Sequence, residues 1–262
     1  MRRVAERARP LALGPFALLL LLIPFGVPFL NALRVLDSGI CAQLPTHMLA
    51  PGGVTLPLCA RNTGIYSGAA LAFGILRARG RQRAMLPPPP WLIAVLLALI
   101  ALMGLDGLNS VATDLALPHP YAPANALRLA SGLGAGVALV LLLSPVIARG
   151  RFGAADRRPP LERPSDLVPF LGAALAAYVV IWSTASWTLY PVALLSNAGL
   201  LGVLVGVNRI ALSALGGLAG VAHRPLGNNR VAPALLVMVA VSELALLAGM
   251  RSMLLGPAGI GA

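Results

Sequence analysis

Two short strings in the sequence hold polar residues that could act together. They are Asp106 and Asn109 in "DGLN", and Asn125 and Arg128 in "NALR". Each pair is spaced three residues apart, so on a helix its two side chains share one face. Arg61 and Tyr66 add to them in "CARNTGIY". Two guanidinium groups beside one acid can hold a carboxylate or phosphate through charge-assisted hydrogen bonds. The plainer reading is that Asp106 only neutralises Arg128. Cys41 and Cys59 are the chain's two cysteines. A disulfide between them would close the stretch 41–59; with His47 as third ligand they could instead hold a metal. Three donors at irregular spacing fall short of a zinc pattern. Arg209 and Glu243 form the last candidate, a buried ion pair that either fixes helix register or relays a proton.

Several chemistries are disfavoured or excluded. All 20 basic residues are arginine, which rules out a lysine Schiff base and a P-loop lysine. No GxSxG, HExxH, GxGxxG or Walker pattern stands in a credible context. His47, His119 and His223 all fall between apolar segments, which disfavours haem held by two histidines. No catalytic set, resident metal or cofactor is expected.

These groups have to be positioned by apolar elements. Hydrophobic residues make up 58% of the 262 residues and charged residues 11%, against about a quarter charged in soluble domains. The chain reads as an all-α, polytopic transmembrane helix bundle, a single integral domain over 1–262. Seven spans fit, at 11–33, 63–76, 91–110, 124–148, 167–189, 192–218 and 231–255. The first, behind a basic head, reads as an uncleaved signal anchor. "LYPV" at 189–192 separates the fifth span from the sixth. Arg77, Arg79, Arg81 and Arg83 fall in one inter-span stretch, and Arg149, Arg151, Arg157, Arg158 and Arg163 in another. Both stretches share a side with the arginine-rich N-terminus, so that side is cytoplasmic and the C-terminus lies outside. Arginines so distributed argue against nucleic acid as a partner. Glu243 and Arg209 then lie at one depth on neighbouring antiparallel spans. Gly64 with Gly68, Gly132 with Gly136, and Gly202 with Gly206 mark faces for close helix packing within the chain.

The string Cys41-x-Gln43-x-Pro45, then "LPLCARNTGIYSG" at 56–68, then "DGL" at 106–108, then Asn125-x-x-Arg128 with Gly132, resembles an uncharacterised family of prokaryotic integral membrane proteins. That family's signature runs Cys-His-Gln, Cys-Ala-Arg-Cys-Thr-Gly-Ile-Tyr, Asp-Gly, Asn-x-x-Arg. The resemblance covers about residues 41–136 and implies no activity. Ala42 stands where the family has histidine and Asn62 where it has a further cysteine, so a thiol–imidazole centre would lose half its ligands here. The resemblance implies that Arg61, Tyr66, Asp106, Asn125 and Arg128 form a shared, outward-facing polar site.

The expected function is that of a non-enzymatic subunit or scaffold of a larger membrane assembly in a prokaryotic cytoplasmic membrane. The alternative is a transporter or lipid-binding protein with an outward-facing site for an anion or headgroup. The partners implied are the bilayer, other integral subunits, and an anionic lipid.

Overall fold

The computed structural model describes residues 26–151, 156–218 and 231–255. Among them lie seven helices and no β-strand: α1 Val27–Asp37, α2 Ala60–Ala78, α3 Pro90–Asp114, α4 Asn125–Arg151, α5 Val168–Trp182, α6 Leu189–Leu218 and α7 Val231–Leu255. Five of them, α3 to α7, supply helices long and apolar enough to cross a membrane. Most of the expected first span, with its signal anchor, lies outside the described residues.

Helix α2 falls where the second span is expected but is not among those five, and Arg61, Asn62, Thr63 and Ser67 lower its hydropathy. It tolerates them because it is an inner helix, packed chiefly between α4 and α6. Two backbones must nearly touch for this. An added Cβ at Gly64 would stand 2.5 Å from the Leu129 carbonyl oxygen. Cβ atoms at Gly132 and Gly136 would strike the carbonyls of Arg61 and Ile65, and one at Gly199 of α6 that of Tyr66. Small residues thus pack α2 within the chain, as their spacing suggests.

Proline placement explains one boundary that differs from expectation. The break between the fifth and sixth spans falls at Ser183–Ala185, not at "LYPV". Thr184 takes a left-handed φ of 48° and Ala185 is extended, ending α5. Pro191 lies in the first turn of α6, where a missing N–H costs no helical hydrogen bond. Pro145, inside α4, removes the donor that Leu141 would normally receive. The Ser144 hydroxyl donates to that carbonyl at 3.3 Å instead.

Candidate functional site

The C-terminal ends of α1 and α3, the N-terminal ends of α2 and α4, and the stretch 38–59 meet at one end of the bundle. Arg61, in the first turn of α2, reaches α3. One of its terminal nitrogens donates to Asp106 Oδ2 at 2.6 Å, to Ser110 Oγ at 2.8 Å and to the Asp106 carbonyl at 3.1 Å. Tyr121 Oη donates to Asp106 Oδ1 at 3.0 Å, so both carboxylate oxygens are engaged. Asp106 is therefore the partner of Arg61. Arg128 rests on neutral groups: its Nε donates to Ser110 Oγ at 3.4 Å and Nη1 to Asn125 Oδ1 at 2.8 Å. Ser110 sits four residues after Asp106, on the same face of α3, and joins the two guanidiniums. Asp106 and Arg128 are each only 5% exposed.

The site has a cover. Asn125 Nδ2 donates to the carbonyls of Thr46 and Met48, both at 3.2 Å, which holds the turn Pro45–His47 over the start of α4. His47 Nε2 then lies 3.3 Å from Asp114 Oδ1 at the rim. Burial and the Arg128 charge hold the His47 imidazole below its ordinary pKa, with Asp114 opposing. Asn109 donates to the Tyr121 carbonyl at 2.9 Å. Its Oδ1 and the Arg61 Nε are buried without a hydrogen-bond partner.

The expected disulfide is not formed. Cys41 and Cys59 are both free and lie 3.2 Å apart. The Cys59 backbone N–H donates to Cys41 Sγ at 3.3 Å. The loop closes without a covalent bond. Gln43 Nε2 donates to the carbonyls of Arg34 and Pro57 at 2.9 and 2.8 Å, clasping both ends of the stretch. Arg34 reaches Thr55 Oγ1 at 2.8 Å. From α7, Arg251 donates to the carbonyls of Ser38, Cys41 and Ala42.

Tyr66 faces this second group, with Asp37, Cys41 and Cys59 as its ionisable neighbours. Five residues of helix turn by roughly 140° beyond a full circle, so Tyr66 and Arg61 point to different sides of α2. Asp37 is fully buried. Its Oδ2 accepts from Asn197 Nδ2 at 3.3 Å, while Oδ1 has no partner. Burial pushes its carboxyl up to about 7.

Deeper in the bundle, Asn208 Nδ2 donates to Glu243 Oε2 at 2.9 Å, joining α6 to α7. Arg209, beside Asn208, is buried. Among the described residues Glu243 is the acid that lines an open cavity of about 290 Å³ whose other walls are Ile40, Leu204, Leu244, Leu246 and Leu247.

Ser110, Tyr121, Asp114 and Asp37 are additions to the residues the sequence singled out, and His47, singled out there only as a third metal ligand, lies against Asp114 instead. Ser110 alone had a readable signal, its spacing of four from Asp106. Among the described residues no three His, Cys, Asp or Glu side chains converge as metal ligands.

No curated protein and no solved structure matches the chain. Residues 41–142, from the buried cysteine through the arginine cluster and into α4, match the family model described as "Predicted membrane protein (DUF2085)", a family of unknown function.

Proposed function

We propose that this chain is a non-enzymatic integral membrane protein that holds the headgroup of an anionic lipid at Arg61 and Arg128. The observation that carries this reading is Arg128, a buried guanidinium whose hydrogen-bond partners are a hydroxyl and an amide oxygen. Taking a cation out of water costs several kcal/mol unless a counter-charge is supplied. Asp106 is hydrogen-bonded to Arg61 and Asp114 sits against His47 at the rim, so both acids act on Arg128 only through space, and an anion brought in from the bilayer gives it a direct counter-charge. In the seven-span topology with a cytoplasmic N-terminus, this end faces outward at headgroup level. A charge-assisted hydrogen bond to such a headgroup contributes about 1.5–3 kcal/mol.

Native mass spectrometry of the detergent-extracted protein tests the proposal. The wild type should retain anionic lipid in preference to zwitterionic lipid. Arg128→Ala should lose that preference, while Arg79→Ala, at the opposite end of the bundle, should keep it. Equal retention by Arg128→Ala would refute the site.

A subunit role in a larger assembly is the second reading. It is favoured by α3, whose apolar window is only 17% buried and which turns Leu97, Leu102, Leu105 and Leu108 outward. The same spectra would show that assembly as one stoichiometric complex of higher mass.

A further inference from the structure

We propose that Cys41 and Cys59 form a two-coordinate binding site for a soft monovalent metal cation of the copper(I) class. Both thiols are free and 3.2 Å apart, at the point where the loop after α1 meets the first turn of α2. Cys41 is buried, and Cys59 is partly exposed and gives access. The ligand class follows from what surrounds them. Thiolates select soft cations. With no third His, Cys, Asp or Glu ligand converging among the described residues, the tetrahedral demand of zinc is unmet. A cation content with two thiolates is the one that fits.

Charge favours the product. Two S–H bonds break, two metal–sulfur bonds form, and two protons leave, so the bound centre carries one net negative charge. That anion sits at the N-terminus of α2, where the helix dipole is positive, two residues from Arg61. The Cys59 N–H already points at Cys41 Sγ.

Geometry sets the one movement required. Taking the zinc–thiolate length of about 2.3 Å as a guide, a linear pair sets the sulfurs roughly 4.6 Å apart, so the contact must open by about 1.4 Å. The movement falls to the thiol side chains, since the Cys41 backbone is held by Arg251 at its carbonyl and by the Asp37 carbonyl at its N–H.

Anaerobic titration of the reduced full-length protein with copper(I), against a chromophoric copper(I) chelator, tests the site. One copper(I) per chain is expected. Cys41→Ser and Cys59→Ser should each weaken binding by at least about a hundredfold, or about 3 kcal/mol. Copper X-ray absorption of the loaded wild type should show two sulfur neighbours, a readout that stands even if a variant fails to fold. Wild-type affinity no better than that of the double serine variant would overturn the proposal. So would oxygen or nitrogen neighbours in place of sulfur, or zinc(II) bound as tightly as copper(I).

Discussion

Replacing Asp106 by Asn removes the carboxylate on which Arg61 rests but keeps the shape of the side chain. In the wild type Asp106 accepts from Arg61 at 2.6 Å and from Tyr121 at 3.0 Å. The two side chains of the ion pair are 18% and 6% exposed. Removing one partner of a buried pair costs about 3–5 kcal/mol, because a buried charge is left uncompensated. Arg61 is the less buried partner, and it keeps Ser110 Oγ and the Asp106 carbonyl as acceptors. The expected loss is therefore about 3 kcal/mol, the lower edge of that range, or roughly a hundredfold in the folding equilibrium. Unfolding of the detergent-solubilised protein by SDS, followed by circular dichroism, measures it.

If the loss comes from an uncompensated Arg61, then Arg61→Gln in the Asp106→Asn background must restore stability, giving a coupling energy of at least about 1.5 kcal/mol in a double-mutant cycle. Additive losses, with coupling within about 0.5 kcal/mol of zero, would show that packing and not charge sets the cost. Asp106→Asn should also tighten retention of anionic lipid, since both arginines then lack a carboxylate. Weaker retention in a folded Asp106→Asn variant would contradict the electrostatic account of the site.

Asp37 keeps its proton to a higher pH in the folded chain, about 7, than its ordinary 3.8. Its stabilising contribution is thus fully present below pH 3.8 and lost as pH rises through 7, on the order of 4 kcal/mol over that window. The titration involves Cys41, Asn197 and Tyr66 as neighbours. Asp37→Asn should remove that slope, seen as the wild-type-minus-variant difference in melting temperature between pH 5 and 8. Gly136→Ala drives a methyl into the Ile65 carbonyl and should cost at least about 1–3 kcal/mol. Gly172→Ala, with nothing within 4 Å, should leave the denaturation midpoint unchanged or raise it.

The membrane class and most helices were legible because long apolar runs admit few other structures. The α5–α6 break was misplaced because Pro191 looked like a breaker, whereas a proline in a first turn breaks nothing. The arginine cluster was legible through spacing on each helix, but its pairing was not. Asp106 turns to Arg61 and not to Arg128, a choice set by which helices touch. The disulfide expectation failed for a related reason. Two cysteines near one mouth suggest a bond, while the noncovalent clasp depends on Gln43 bridging Arg34 and Pro57 and on Arg251 reaching over from α7, contacts that no spacing encodes.

One physical constraint underlies both polar groups at this end of the bundle. A helix carrying Arg61, Asn62, Thr63 and Ser67 is a poor lipid-facing span, so it must lie inside, and lying inside requires backbones that nearly touch. Gly64 and Gly68 on α2, Gly132 and Gly136 on α4, and Gly199 on α6 provide that approach on two sides. Contacts of this kind leave α2 almost no freedom to rotate about its own axis, since a small turn would bring a Cβ onto a carbonyl. The rotation so fixed directs Arg61 toward Asp106 and Ser110 of α3, and Tyr66 toward Asp37 and the thiols. The glycines, which carry no chemistry, therefore decide which polar side chains meet, and hydropathy cannot show this because glycine contributes almost nothing to it.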